Sequence, residues 1–161
     1  MAENVGGGLS FSEDHGLIWE HISETESDFI FDEIFIRRVY VQNGITVTDG
    51  STIVDVGANI GLFALFFACE AKNLKILCLE PLPPIFHVLK RNLAALMQQN
   101  CSNRVLQIAI GNDLEENSQS DFYFFQGWVN FISTRKESVI SCNQNLIRGF
   151  LMSLLYHRLP R

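Results

Sequence analysis

Residues 52–61 read Thr-Ile-Val-Asp-Val-Gly-Ala-Asn-Ile-Gly, a β-branched run that gives way to a glycine-rich turn. The run from Thr52 to Val56 is typical of a buried strand, because β-branched side chains favour the extended backbone. The sequence after Ile60 is typical of a helix, so the glycines mark a tight strand-to-helix turn. We expect such a turn to leave backbone N–H groups facing an open crevice, where they can donate hydrogen bonds to a ligand.

A second strand-like run follows and ends in an acid. Residues 75–80 read Lys-Ile-Leu-Cys-Leu-Glu, and Glu80 stands 23 positions after Gly57. An acid roughly 20 residues after a glycine turn is the group that binds the two hydroxyls of a ribose in a βαβ unit. The spacing therefore predicts a site for a ligand that carries adenosine.

The details of the glycine pattern narrow the class of ligand. A dinucleotide fingerprint requires glycine at the positions that Asn59 and Leu62 occupy here, so an NAD-dependent oxidoreductase is a weak hypothesis. Asp55 lies two residues before Gly57, where its carboxylate would repel a pyrophosphate but attract an amino group or a sulfonium. S-adenosylmethionine is the ligand that these residues favour.

Composition excludes several functional classes. The chain has 161 residues, 47% of them hydrophobic and 19% charged, which fits at most one globular domain. A net charge of −6 argues against nucleic-acid binding, which requires a basic face. The longest apolar run, residues 62–69, is far shorter than the ~20 residues of a membrane span, and no signal-peptide pattern is visible. The four cysteines lack metal-binding spacing, so we predict no metal site and a reducing compartment, the cytoplasm.

The order of the remaining elements predicts an α/β fold. Residues 27–40 have the apolar spacing of a helix that is capped by one of its first two residues. Further helices are predicted over 60–71 and 85–97, and a third strand over 104–109. In the second of these helices we expect residues 90–92 to face solvent. Alternating strands and helices predict a mostly parallel sheet that binds its ligand at the carboxyl ends of the strands.

Three segments together carry a family resemblance. Residues 54–63, 79–86 and 89–92 read VDVGANIGLF, LEPLPPIF and LKRN. They resemble the FkbM-type S-adenosylmethionine-dependent methyltransferases, and the similarity extends over about residues 27–134. The resemblance implies a Rossmann-like class I methyltransferase sheet, S-adenosylmethionine as cofactor, and methylation of oxygen atoms in small molecules or sugars.

The resemblance also implies a set of cofactor contacts. Asp55 would contact the amino group of the cofactor, the turn would line its methionine end, and Glu80 would hold the ribose hydroxyls. The adenine would lie near the turn after the third strand. No catalytic residue is implied. The implied contacts are Asp55, Gly57, Ala58, Asn59, Gly61, Glu80, Pro81, Asn112 and Asp113.

The resemblance ends before the later motifs of the family. Family members carry a later strand that ends in a Lys-x-Asp-x-Glu-Gly-type motif, and nothing like it follows Thr134. We therefore divide the chain into a lead-in (1–26), a methyltransferase-like domain that holds the cofactor-binding half (27–134), and an atypical basic tail (135–161). The sheet is expected to stop after the third βα unit and a hairpin over 122–132.

Two functional hypotheses of different class follow. The first is a methyltransferase whose partner is a small-molecule methyl acceptor. The second is a non-catalytic fragment that retains part of a cofactor pocket, or that acts only through a partner chain. An unpaired sheet edge and phenylalanine-rich helices favour an oligomer or a partner chain that covers them.

Overall fold

The structure is a computed structural model, and it describes residues 7–42, 44–94, 96 and 101–110 together with the backbone of 119–122 and 140–143. Its elements in chain order are β1 (Gly8–Ser12), β2 (Leu17–His21), α1 (Glu24–Phe31), a π-helical turn (Asp32–Ile36), a 3₁₀ turn (Val39–Val41), β3 (Thr52–Val56), α2 (Leu62–Glu70), β4 (Lys75–Leu79), α3 (Pro83–Ala94), β5 (Ser102–Leu106), β6 (Gln119–Phe122) and β7 (Ile140–Asn143).

Strands β3, β4 and β5 form a parallel sheet in that order, and this confirms the predicted α/β fold. The register pairs Asp55 with Cys78 and Val56 with Leu79, so β3 and β4 end side by side. Helices α2 and α3 connect the three strands along the chain. The glycine turn after β3 and Glu80 after β4 therefore start from the same edge of the sheet, where α/β folds bind ligands.

Both helices of the sheet contribute to one core. Helix α2 is covered on most sides, as its apolar sequence predicts, and α3 buries one face that contains Leu89 and Leu93. Burying a leucine-sized side chain contributes about 1.5–3 kcal/mol, so this core fixes the helix starts and the turns that precede them. The buried residues of α2 are Leu62, Ala64, Leu65, Phe66, Phe67 and Ala68.

Asn92 lies inside this core, although we expected residues 90–92 to face solvent. Its side chain is only 6% exposed. Its Nδ2 donates to the carbonyls of Ile60 at 2.7 Å and Glu20 at 3.0 Å, and its Oδ1 accepts the Glu20 N–H at 2.7 Å. An amide that is hydrogen-bonded in this way can be buried at little cost, so it shares the helix face of Leu89. Asn92 thereby joins the end of the glycine turn to β2.

An antiparallel hairpin of β1 and β2 replaces much of the expected lead-in. Leu17, Trp19 and His21 alternate along β2 and are buried. The Trp19 ring stacks on Phe31 with ring centroids 4.9 Å apart. This period-two pattern covers only five residues, and it was not predicted as a strand.

The helix predicted over 27–40 begins earlier and ends sooner. Ser23 is the N-cap, and its Oγ accepts the Glu26 N–H at 3.4 Å. After α1 the chain passes through the π-helical turn to Arg38, which has a φ of +52° and ends the helical path. A left-handed non-glycine residue costs about 1–2 kcal/mol. A bidentate ion pair to Glu70, with distances of 3.0 and 2.9 Å, holds Arg38 against the end of α2.

The last described segments are β6 and β7, which pair antiparallel with Phe122 opposite Ile140. The hairpin predicted over 122–132 lies outside the described residues beyond Phe122, and so does the tail at 135–161 apart from the β7 backbone. Within the described part of the chain, every helix is too short or too polar to cross a bilayer.

Candidate functional site

A cavity of about 410 Å³ opens where β3 ends. This volume is within the range of small-molecule sites, roughly 300–1,000 Å³. One side of the cavity is formed by the end of β3 and the turn that follows, and we call it the first wall. It includes Asp55, Gly57, Ala58 and Asn59. The second wall comes from α1 and the two turns after it, and it consists of Ile30, Glu33, Ile34 and Tyr40.

The glycine turn is held in a left-handed path. Gly57, Asn59 and Gly61 have φ values of +75°, +47° and +92°, a region that glycine occupies freely and asparagine tolerates. The N–H groups of Gly57 and Ala58 donate to the Leu79 carbonyl at 2.9 and 3.0 Å. We expected these groups to face a ligand, but they close the turn onto the end of β4 instead. The turn is therefore a rigid part of the sheet edge.

Gly61 serves packing and does not line the cavity. A Cβ atom at this position would lie 2.8 Å from Leu89 Cδ1 and 3.2 Å from Leu93 Cδ2, closer than side chains normally approach. At Gly57, by contrast, a Cβ would meet nothing within 4 Å. The absence of a side chain at Gly61 lets α3 pack directly on the start of α2, while at Gly57 it leaves space on the cavity side.

Asp55 provides an unsatisfied carboxylate in the first wall. Its Oδ2 is buried and has no hydrogen-bond partner among the described residues. Burial, and then the negative charge of Glu80, raises the pKa of Asp55 to about 6. A buried carboxylate without a partner is costly, and a cation placed beside it would remove that cost. Asp55 is therefore suited to bind an ammonium group.

Glu80, in contrast to Asp55, has hydrogen-bond partners within the protein. It is 5% exposed, its Oε2 accepts the Asn59 N–H at 3.1 Å, and its Oε1 accepts the Leu82 N–H at 2.9 Å. Burial raises the pKa of Glu80, and these two hydrogen bonds act in the opposite direction. Glu80 is not among the described residues that line the cavity, and it joins the glycine turn to the loop after β4. Pro81 lies in that loop, and its carbonyl accepts the Gln107 Nε2–H at 3.4 Å.

Two predicted contacts, Asn112 and Asp113, lie outside the described residues. Two residues of the second wall were not predicted as cofactor contacts. These are Glu33 and Tyr40, which both lie within the stretch that the sequence predicts as a helix over 27–40. In the structure Tyr40 is 45% exposed and packs edge-on against Phe63 at 5.1 Å. Neither placement has a local sequence signal, because both depend on the π-helical and 3₁₀ turns.

The fold is a Rossmann-like α/β unit, and its cavity lies where such units bind ligands. The chain is 32% identical over 99 residues to the 31-O-demethyl-FK506 methyltransferase FkbM of Streptomyces tacrolimicus, which covers 62% of this chain. It is 44% identical over 73 residues, 45% of this chain, to the methyltransferase sdnD of Sordaria araneosa. These matches confirm the resemblance: the chain is a relative of the FkbM-type methyltransferases.

A third relative is a much longer protein whose name does not describe a methyltransferase. Over 126 residues, 78% of this chain, the sequence is 32% identical to the AMB antimetabolite synthetase AmbE of Pseudomonas aeruginosa. The chain spans 37% of the length of FkbM, 27% of sdnD and 6% of AmbE. No family model matches the chain.

Proposed function

We propose that this chain forms the S-adenosylmethionine-binding part of a methyltransferase that acts on oxygen atoms of a small molecule or sugar. The observation that carries the proposal is the Asp55 carboxylate in a cavity at the glycine turn, because its buried Oδ2 has no hydrogen-bond partner among the described residues. The methyltransferase names of FkbM and sdnD support the same reaction class. When bound, S-adenosylmethionine supplies a methyl group on a positively charged sulfur.

The residues of the first wall fit the methionine end of this cofactor. Asp55 Oδ2 would accept a hydrogen bond from its ammonium group, and this contact would satisfy an atom that has no partner within the described part of the chain. Gly57 leaves open space on its side of the turn, so the ligand can approach the backbone there. Asn59 lines the same wall. The chain thus contributes binding and orientation, which are the main requirements of an in-line displacement.

Glu80 remains the proposed ligand of the ribose hydroxyls. Each carboxylate oxygen has two lone pairs, so Glu80 can accept a hydroxyl while it holds the N–H groups of Asn59 and Leu82. In the ligand-free protein, Glu80 positions the glycine turn through these two hydrogen bonds. Asn112 and Asp113 remain the proposed neighbours of the adenine.

A dinucleotide fits the same residues less well. The described lining of the cavity contains two acids, Glu33 and Asp55, and no basic residue. A pyrophosphate would meet these negative charges without a compensating lysine or arginine. Asn59 also places a side chain at the position where a dinucleotide fingerprint requires glycine.

The proposal also covers the cellular compartment, a partner chain and the type of methyl acceptor. Cys69, Cys78 and Cys101 are free thiols, which fits a reducing compartment such as the cytoplasm. Among the described strands β3 is an edge of its sheet, and we propose that an oligomer or partner chain covers that edge. The acidic net charge fits a small-molecule acceptor better than a nucleic acid.

Calorimetric titration tests the cofactor. We expect wild-type protein to bind S-adenosylmethionine and its demethylated product but not NAD. The variant Asp55→Asn should lose affinity about tenfold or more, equivalent to about 1.4 kcal/mol. The matched control Asp14→Asn, which changes an exposed turn residue, should bind as the wild type does. No binding to folded wild-type protein, or equal binding by Asp55→Asn, would overturn the proposal. Binding without methyl transfer to any acceptor would favour the non-catalytic alternative.

A further inference from the structure

We infer that the second wall makes the cavity selective for the charged cofactor over its neutral product, and that Glu33 is the residue responsible. This inference rests on the proposed function and deepens it. It assigns a specificity role to Glu33, which lies 24 positions before Gly57 in the sequence.

The charge of the cavity is the first observation. Glu33 and Asp55 line it from different segments of the chain, and no basic side chain is among its described lining residues. The Glu33 side chain forms no hydrogen bond or ion pair with any described residue. The two nearby arginines are engaged elsewhere, Arg37 with Asp32 at 2.8 Å and Arg38 with Glu70 at 2.9 Å. The negative charge of Glu33 is therefore not neutralised within the described protein.

The position of Glu33 is fixed by its neighbours. Ile34 and Phe35, which follow it in the π-helical turn, are buried in the core. Phe35 packs edge-on against Phe66 of α2 at 5.3 Å. Arg38 then anchors the end of this segment to Glu70. The backbone that carries Glu33 is thus held in place, so a ligand does not have to order this segment of the chain when it binds.

Tyr40 shows that the two carboxylates act on one region. Burial raises the pKa of the Tyr40 phenol, and the negative charges of Glu33 and Asp55 raise it further. Tyr40 lines the cavity together with both acids. The fields of Glu33 and Asp55 therefore overlap inside the cavity, where a ligand would experience both.

The charges of the two ligands indicate which positive group each carboxylate of the cavity attracts. The methionine end of S-adenosylmethionine carries an ammonium, a sulfonium and a carboxylate, which leaves one net positive charge, whereas the demethylated product keeps only the ammonium and the carboxylate and is neutral overall. Asp55 suffices for the cation that both molecules share. The second carboxylate, Glu33, matches the charge that only the cofactor has, and attraction in a partly desolvated cavity is stronger than in water. The site should therefore hold the cofactor more tightly than the product.

Titration of two ligands into three proteins tests the inference. Wild-type protein, Glu33→Gln and the control Glu24→Gln are titrated with S-adenosylmethionine and with S-adenosylhomocysteine, its demethylated product. Glu24→Gln makes the same change at an exposed residue of α1 that is not among the cavity lining and leaves the Arg37–Asp32 ion pair in place. We expect Glu33→Gln to weaken binding of S-adenosylmethionine about three- to tenfold and to leave S-adenosylhomocysteine within about twofold. Glu24→Gln should change neither by more than about twofold.

Salt dependence provides a readout that a merely structural role of Glu33 would not move. The affinity ratio of the two ligands should decrease with increasing KCl in the wild type and change less in Glu33→Gln, because salt screens the charge in question. Equal losses for both ligands, or no loss for either, would refute the inference while the proposed function stands. Absence of binding by either ligand to the wild type would refute both.

Discussion

Asp55 and Glu80 stand at the ends of neighbouring parallel strands, yet they have opposite surroundings. Glu80 is enclosed, and both of its carboxylate oxygens accept backbone N–H groups. Asp55 has a buried oxygen without any partner among the described residues, and it faces a cavity. Burial raises the pKa of both groups, but only Glu80 has hydrogen bonds that act against this increase.

The difference separates two uses of a buried acid. A carboxylate that is fully hydrogen-bonded within the protein fixes the backbone around it. A carboxylate that lacks partners destabilises the protein alone and gains stability only when a cation arrives. Glu80 therefore positions the glycine turn, whereas Asp55 is available to the cation of the ligand that we propose. The two residues should respond to substitution in opposite directions.

The largest expected effect is a loss of stability on Glu80→Ala. The change leaves the N–H groups of Asn59 and Leu82 without their acceptor, at about 1–3 kcal/mol for each buried group. We expect the free energy of unfolding to decrease by about 2–5 kcal/mol in urea titrations. Glu13→Ala, at an exposed turn residue, is the control and should change it by less than about 0.5 kcal/mol. A loss below about 1 kcal/mol for Glu80→Ala would show that Glu80 does not hold the turn.

The second effect has the opposite sign, because Asp55→Asn should stabilise the ligand-free protein. At pH 3 the carboxyl is protonated in both states, so the substitution has little effect. As the pH increases from about 4 to about 6, the unfolded chain loses its proton first and the folded state becomes relatively less stable. A pKa raised from 3.8 to about 6 corresponds to ~3 kcal/mol, which is the upper limit of the gain at pH 8.

Unfolding titrations of Asp55→Asn and wild type from pH 3 to pH 8 measure this gain directly. The difference in unfolding free energy should grow through this interval and level off above pH 6 or so. A gain that is the same at pH 3 and pH 8 would mean that the Asp55 charge is not responsible.

The smallest effect concerns the coupling of the two acids. The negative charge of Glu80 is the second cause of the raised pKa of Asp55, after burial. In Glu80→Gln this charge is absent, so the pKa of Asp55 should fall below its wild-type value and remain above the ordinary 3.8. A carbon-detected NMR titration of the Asp55 carboxyl measures it. An unchanged pKa would show that the two carboxyl groups do not interact.

The strands and helices around the sheet could be predicted because their signals are local. The β-branched run of β3, the apolar helix α2 and the stripe of α3 each lie within about a dozen residues. Their alternation then determines a parallel sheet and the edge at which a site forms. Asp55 and Glu80 were placed at that edge on this basis, and the structure has them there.

The remaining features depend on contacts between distant segments. The burial of Asn92 depends on Glu20, which lies 72 residues away along the chain. The N–H groups of Gly57 and Ala58 are occupied because the Leu79 carbonyl lies beside them, which the sequence of the turn does not reveal. Glu33 reaches the cavity through a π-helical turn, an irregularity that apolar spacing does not predict.

The bond between Glu20 and Asn92 has a consequence for the order of folding. During synthesis β2 emerges 72 residues before its partner on α3, which at about 5–20 residues per second corresponds to roughly 4–14 s. In that interval the β1–β2 hairpin has only local contacts, such as the Trp19–Phe31 stack. An isolated two-stranded hairpin is marginally stable in water. The N-terminal hairpin is therefore a late-docking element, and its amides should lose protection from hydrogen exchange before those of the parallel sheet.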